Sequence, residues 1–205
     1  MKKAVNPQGG SSSYSYESLP FGYRLFKRIK LTEDRSSLIA INIWSLAAAL
    51  ALVLPMLFVH PVKYAFDMEI GKIIFCISAV IVGMVVYLFL HEGVHGIFIR
   101  IFTGSSAAFG FDLKHGIAYA SSSWYFKKLP YIIIALAPLA VWGIVFAVML
   151  SDVDENYFWY LYILQIFNVT GSAGDIYISY IVAKMPNNVL AHDMGADMEF
   201  YRKTE

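Results

Sequence analysis

The chain has 205 residues, of which 58% are hydrophobic and only 15% are charged, and its formal net charge at pH 7 is +1. A soluble domain is about half apolar and a quarter charged, so the excess of apolar residues, which is concentrated in long runs, indicates a membrane protein. The small net charge offers no basic surface that could neutralise phosphates, which argues against a nucleic-acid partner.

The chain begins with a polar segment over residues 1–37. Its stretch NPQGGSSSYSYES has a composition typical of disorder. The segment does not read as a cleavable signal peptide, because the first apolar run starts late and is too long for a signal-peptide core. We therefore divide the chain into this polar segment, a transmembrane domain over 38–183 and a tail over 184–205.

Four apolar runs are each long enough for a helix to cross the hydrocarbon core of a membrane, which takes about 20 residues. They are roughly Leu38–Val59, Ile73–Phe102, Pro130–Leu150 and Tyr157–Ala183. The runs lack the alternation of barrel strands, and helices satisfy the backbone polar groups of such runs in lipid. The predicted fold class is an all-α membrane protein with about four transmembrane helices.

The 100–129 segment, between the second and third runs, differs from an ordinary loop. Its stretch AAFGFDLKHGIAYASSSWYF mixes glycine, aromatic and small residues with partial alternation, which predicts a β-hairpin or a short, partly buried element. Lysine and arginine are more numerous in the polar N-terminal segment, this segment and the tail than in the other two connections. The positive-inside rule therefore predicts both termini and the 100–129 segment in the cytoplasm.

The second run contains the pattern H-E-x-x-H, from His91 to His95. The two histidines are four residues apart, so their imidazoles project from one helical face and can bind one metal ion. Glu92 is poorly placed as a third ligand and is the candidate general base. The alternative is a pair of interior histidines hydrogen-bonded to neighbouring helices. Because each ionisable group costs about 2.5 kcal/mol or more in hydrocarbon, the cluster favours a metal site.

A catalytic zinc ion usually takes a third protein ligand, and Asp175 in the fourth run is the candidate. His91 is nine residues before Arg100, and Asp175 is nine residues before Lys184. At 1.5 Å per helical residue, both lie roughly 13 Å from the same membrane boundary. The alternative for Asp175 is a hydrogen bond to a serine or asparagine on a helix-packing face.

Two further polar residues are candidates for contact with a substrate or a transition state. Asn168 is two helical turns before Asp175, where it can bind the substrate backbone or an oxyanion, or form a hydrogen bond between helices. His115, in the 100–129 segment, is a candidate transition-state donor or substrate contact, although loop histidines are more often solvated. The small residues at 171–174 allow close approach of helices, or loosening of the backbone, beside Asp175.

The H-E-x-x-H helix, the hairpin and the later helix carrying an aspartate resemble the site-2 protease class of intramembrane zinc metalloproteases. More closely, residues 85–201 are similar to a family of small bacterial membrane proteins described as zincin peptidases. The matching stretches are HEGVHGIFIR, FGFDLKHGIAYA, YIIIALAPL, NVTGSAGD and HDMGADMEFY. The chain departs from site-2 proteases in having Gly174-Asp175-Ile176 in place of Asp-Gly, without the usual preceding prolines.

The resemblance implies that His91, His95 and Asp175 are zinc ligands and that Glu92 is the base. We therefore expect a zinc metalloprotease in the bacterial cell membrane that hydrolyses a membrane protein or peptide in or near the bilayer, using a zinc-activated water. An extended substrate would pair with the 100–129 segment. The alternatives are a non-catalytic membrane protein with a structural or regulatory zinc site, and a zinc transporter or channel.

Overall fold

The computed structural model describes residues 13–31, 33–113, 116–195 and 197–204. In this part of the chain, five α-helices and one short 3₁₀ helix are joined by loops and seven strands. The helices are α1 (Arg35–Val59), α2 (Ile70–Thr103), α3 (Lys128–Leu150), α4 (Glu155–Gly171), α5 (Ala173–Ala183) and the 3₁₀ helix Val62–Phe66. The strands are β1 (Ser15–Tyr16), β2 (Tyr23–Lys30), β3 (Ala108–Asp112), β4 (Ile117–Ser121), β5 (Tyr125–Lys127), β6 (Val189–Asp193) and β7 (Asp197–Lys203).

Helices α1, α2 and α3 are long and apolar enough to cross a membrane, which confirms the first three predicted helices. Each begins two or three residues before the predicted apolar run. At α1 the reason is a polar cap: the Asp34 carboxylate accepts hydrogen bonds from the backbone N–H groups of Ser36 and Ser37. Such a cap satisfies the first free donors of a helix and extends it beyond its apolar part.

The fourth predicted helix, over Tyr157–Ala183, is not continuous. It is divided at Ser172 into α4, of 17 residues, and α5, of 11 residues. Neither reaches the roughly 20 residues of a membrane-spanning helix. The Ser172 hydroxyl donates to the Asn168 carbonyl at 2.8 Å, and this kind of side-chain bond, beside the weak helix former Gly171, disrupts helices. The new helix starts two residues before Asp175.

The prediction of an all-α fold is wrong, because segments before, between and after the helices form strands. Five strands form an antiparallel sheet in the order β1-β5-β6-β7-β2. Strand β2, from the polar N-terminal segment, pairs along its length with β7 from the tail, and β5, at the end of the 100–129 segment, pairs with β6. The polar N-terminal segment, the 100–129 segment and the tail therefore meet at one end of the helices, where Phe126, Val189 and Phe200 are buried.

Part of the stretch predicted to be disordered is also ordered by this sheet. Ser15 and Tyr16 form β1, while residues 1–12 lie outside the described part of the chain. The hydroxyl of Ser15 donates to the carbonyl of Phe102 at 2.9 Å, and the N–H of Lys127 donates to the carbonyl of Tyr14. The composition of this stretch did not predict the strand because its partners are more than a hundred positions away.

The predicted hairpin is confirmed by β3 and β4, which pair from Ala108 with Ser121 to Asp112 with Ile117. The hairpin packs against α2, where the Phe109 ring covers Gly96 so closely that a Cβ there would lie 2.5 Å from the ring. A larger residue at position 96 would push the hairpin away from the helix. Because Gly96 follows His95, this contact sets the hairpin beside the two histidines.

The pairing of β2 with β7 includes a charged cluster around the buried carboxylate of Glu199. Arg28, directly opposite on β2, forms an ion pair with Glu199, and the Tyr201 hydroxyl donates to it at 2.5 Å. The hydrogen bond from Tyr201 has the largest effect and the contact with Arg28 adds to it, and together they hold the pKa of Glu199 below its usual value. Burial lowers the pKa of the nearby His192. In both cases the folded sheet binds fewer protons than the unfolded chain, so stability is lost as pH falls.

We predict that acidification loosens this sheet in two stages, first as pH falls below 6.5 through the lowered pKa of His192, and then as it falls below 4.5 through that of Glu199. Compared with the unmodified protein, Glu199→Gln should have lower amide protection in β2 and β7 at neutral pH. It should also lose less of that protection as the pH falls below 4.5. Hydrogen exchange, corrected for intrinsic rates, measures this. Glu33→Gln, which removes an exposed pair with Lys30, is the control, and equal losses in both variants would contradict the prediction.

Candidate metal centre

The two histidines of the H-E-x-x-H pattern lie on one face of α2, are 7% and 9% exposed, and turn towards α5. Asp175 faces them from the first turn of α5. His91 Nε2 is 3.2 Å from one carboxylate oxygen of Asp175, and His95 Nε2 is 3.7 Å from the other. The structure therefore brings together the three side chains that the sequence predicts as ligands.

The break at Ser172 explains how Asp175 is presented. Because α5 starts at Ala173, Asp175 lies in the first turn of a helix rather than in its middle. The free N–H groups and the dipole of a helix N-terminus stabilise a negative side chain there. A continuous helix over the same residues would give Asp175 no such environment.

A chain of hydrogen bonds orients the imidazole of His91. Its Nδ1 lies 2.8 Å from the hydroxyl of Tyr87, one turn earlier on α2, and that hydroxyl donates to Asn168 Oδ1 at 2.7 Å. The Tyr87 hydroxyl has only one hydrogen to donate, so it accepts the hydrogen of His91 Nδ1. The lone pair of His91 is therefore on Nε2, the nitrogen that faces Asp175.

The imidazole of His95 is oriented in the same way by α3. Its Nδ1 lies 2.9 Å from the backbone carbonyl of Ile134. A carbonyl can only accept, so Nδ1 carries the hydrogen and Nε2 is free to bind a metal ion. Histidine ligands of metals characteristically donate their second ring nitrogen to such a partner, which holds both the tautomer and the ring orientation.

The donor set fits a zinc ion. Two ligand atoms at the usual distance from a tetrahedral zinc are about 3.3 Å apart. The measured nitrogen–oxygen separations of 3.2 and 3.7 Å are close to this value. Two imidazoles and one carboxylate are a common ligand set of catalytic zinc sites, which leave one position for water or substrate.

Glu92 also lies at the site, and it offers a carboxylate oxygen within 4.8 Å of a ring nitrogen of each histidine. Asp175 makes the closer contacts with both nitrogens, so its carboxylate is better placed as the third ligand. This leaves Glu92 available for proton transfer. Ala120 on β4 lines the same cavity as Glu92, so the hairpin forms part of the site.

These groups open into a cavity of about 310 Å³, which is bounded by α1, α2, α3, α5, the hairpin and the five-stranded sheet. Its lining is mostly apolar, with polar groups concentrated at the histidines and the carboxylates. This combination, with a volume at the lower end of the range for ligand pockets, is typical of a binding site.

Asn168 does not face the metal site directly but is hydrogen-bonded to Tyr87, the residue that orients His91. It is fully buried, accepts from Tyr87 and donates through Nδ2 to the Leu139 carbonyl at 3.3 Å. Of the two predicted alternatives, the hydrogen bond between helices is the one observed, because both ends of the amide are already bonded. His115, the other candidate contact, lies outside the described residues.

Three residues of the site were not predicted from the sequence, namely Tyr87, Tyr131 and Asp193. Tyr87 could have been predicted as a partner of His91, since it precedes His91 by four residues and therefore lies on the same helical face. Asp193, in the tail, accepts from the Tyr131 hydroxyl at 3.1 Å and from the Gly195 N–H at 2.8 Å. Burial in the cavity raises the pKa of the Asp193 carboxyl to about 6.

Comparison with known proteins agrees with this site. Residues 84–190, about half of the chain, match the family described as "Putative zincin peptidase". The chain belongs to this family. The matched range includes the H-E-x-x-H pattern and Asp175, and the predicted resemblance to zincin peptidases is confirmed. The description of the family names a zinc-dependent class of peptidases.

One curated relative is also similar to this zincin-family chain. It is an "Uncharacterized 24.7 kDa protein in gap 5'region" from Pyrococcus woesei, 30% identical over 124 residues, which are 58% of this chain and 53% of the relative. The chain thus spans about half the length of the curated relative that it matches. No solved structure matches the chain.

We predict that Asp175→Ala removes zinc from the purified protein, because it deletes one of three protein ligands. The affinity should fall by more than the roughly 10- to 100-fold that is typical of changes behind the ligands. Competition with a fluorescent chelator measures the affinity. Asp193→Asn is the matched control, since it neutralises another carboxylate of the same cavity, and equal zinc loss in both variants would contradict the assignment.

We also predict that Tyr87→Phe weakens zinc binding by about 10- to 100-fold, because it removes the acceptor that orients His91. The same chelator competition measures the change. Tyr160→Phe removes a hydroxyl that donates to the Ala65 carbonyl, in a separate cluster, and should bind zinc like the unmodified protein. Unchanged affinity in Tyr87→Phe would show that His91 is oriented without the hydroxyl.

Proposed function

We propose that this zincin-family protein is an intramembrane zinc metallopeptidase of the site-2 protease type, which hydrolyses a peptide bond in or near the bilayer. The observation that carries the proposal is the convergence of His91, His95 and Asp175 from two apolar helices, with Glu92 free beside them in a cavity. When bound, zinc acidifies a water molecule and polarises the scissile carbonyl.

The chain's own residues perform the remaining chemistry. The carboxylate of Glu92 accepts the proton of the attacking water and passes it to the nitrogen of the leaving amine. Tyr87 and Ile134 hold the two imidazoles in the tautomer that the reaction needs, so no reorientation accompanies each turnover. The apolar lining of the cavity limits bulk water around the reacting groups.

The arrangement of the helices supports a site within the membrane. His91 is 12 residues before the end of α2, so it lies about 18 Å along the helix from the end that carries the sheet. We propose that α4 and α5 together make a fourth crossing, because α4 follows the connection at 151–154 and α5 ends beside the sheet. The excess of lysine and arginine at the sheet end favours the cytoplasm for both termini.

An extended substrate has a strand to pair with in β4. This strand pairs with β3 on one side, and its other edge carries no further strand in the described residues. Residues 117–120 of β4 line the cavity together with Glu92. Addition of a peptide to a free strand edge is a common mode of peptide recognition. We propose that the scissile segment binds there, with its backbone directed past Glu92.

The test is Glu92→Gln in the purified protein, with apolar transmembrane peptides as substrates and mass spectrometry of the products. Hydrolysis should fall by about 10²- to 10⁴-fold, as for loss of a general base, while zinc content and fold persist. Glu155→Gln, at the far end of the helices, is the control and should cleave normally. Zinc binding without cleavage in the unmodified protein would favour the alternative, a non-catalytic membrane protein with a structural or regulatory zinc site.

A further inference from the structure

The cavity contains a third carboxylate to which the proposed reaction assigns no role. Asp175 faces the two imidazoles and Glu92 is the base, whereas Asp193 enters from the end of β6. It lines the same cavity as His95 and Asp175. Asp193 also lies beyond the 84–190 segment that matches the zincin family.

The hydrogen bonds of Asp193 account for its position but not for its charge. Gly195 N–H and Tyr131 O–H donate to its two oxygens, so the side chain closes the turn between β6 and β7. Asparagine closes such turns as well as aspartate does and carries no charge. Both donors are neutral, and none of the described residues that line the cavity is a lysine or an arginine.

A carboxylate in a mostly apolar cavity is costly unless a positive charge balances it. The two charges of a bound zinc ion would balance Asp175 and Glu92, which leaves the charge of Asp193 without a counterpart in the described lining. An ionised carboxylate accepts about four hydrogen bonds, and two of these sites on Asp193 are taken by Gly195 and Tyr131. The remaining sites can therefore accept N–H groups from a molecule in the cavity. These are the properties of a receptor for an ammonium or guanidinium group.

We infer that Asp193 binds a positively charged group of the substrate, and that the site therefore selects cationic membrane peptides. This inference rests on the proposed function and deepens it by naming the substrate class. The position of Asp193 at the sheet end of the cavity supports it. Membrane segments carry an excess of lysine and arginine at their cytoplasmic ends, which is the side proposed for the sheet.

The positive group can come from two sources, namely a lysine or arginine side chain or the free amino terminus of a peptide. Three short apolar peptides with a fluorescent label at the carboxyl end separate them. The first has one lysine and an acetylated amino terminus, the second has norleucine in place of the lysine, and the third has norleucine and a free amino terminus. Binding is measured by fluorescence anisotropy to the full chain carrying Glu92→Gln, so that no peptide is consumed.

We expect the lysine peptide, the free-terminus peptide or both to bind at least about tenfold more tightly than the neutral peptide, as for a charge-assisted hydrogen bond. Asp193→Asn should abolish this preference. Asp193→Ser, which also keeps an acceptor for Gly195, should do the same. Tyr131→Phe removes a hydrogen bond to Asp193 but not its charge, so the preference should persist.

Zinc content and amide protection in β6 and β7 show whether each variant keeps the fold. The inference is overturned if the three peptides bind alike, if none binds, or if the preference survives both substitutions of Asp193. Cleavage of the lysine peptide by the protein with intact Glu92 is measured separately. A binding preference without cleavage contradicts the proposed function alone, and cleavage without a preference contradicts this inference alone.

Discussion

The organisation of the helices depends on one constraint, which is that polar groups in an apolar layer must find partners within the protein. Lipid offers no hydrogen bonds, so an unpaired group there costs several kcal/mol. The polar residues of the site meet this constraint across helices. Tyr87 joins His91 on α2 to Asn168 on α4, Asn168 reaches Leu139 on α3, and His95 bonds to the backbone of α3.

These bonds make the metal site and the helix packing parts of one structure. The hydrogen bonds that hold α2, α3 and α4 together also determine which nitrogen of each histidine is free. Asp175 enters this arrangement through the break at Ser172, where a local defect in the helix becomes the means of presenting a carboxylate. A site of this kind is rigid because moving any one ligand would leave a buried polar group without a partner.

The five-stranded sheet bounds the part of the cavity that the helices leave open. It joins the polar N-terminal segment to the tail and covers the end of the cavity with Phe126, Met198 and Asp193. The hairpin closes another side, since Tyr119 packs so closely against Gly195 that a Cβ there would lie 2.6 Å from its ring. The cavity is therefore enclosed partly by apolar helices and partly by strands, which is why its lining combines apolar walls with carboxylates from both.

The sequence by itself determined the local features, because hydrophobic length and helical spacing are local properties. Three of the four apolar helices, the hairpin and the shared face of His91 and His95 could be predicted in this way. The meeting of Asp175 with the histidines was predictable for a related reason, since depth along a helix is a count of residues. The rotation of each helix about its axis determines which side chains face each other, and counting residues does not give it.

Tertiary structure alone decided the burial of Asn168 behind His91 and the sheet that brings Asp193 to the cavity. Each depends on packing or pairing between residues far apart in the chain. Strand β2 contains only one buried residue and shows no clear alternation, so nothing in its own sequence predicts that β7 pairs with it. The same non-local pairing converts an ordinary tail aspartate into part of the site.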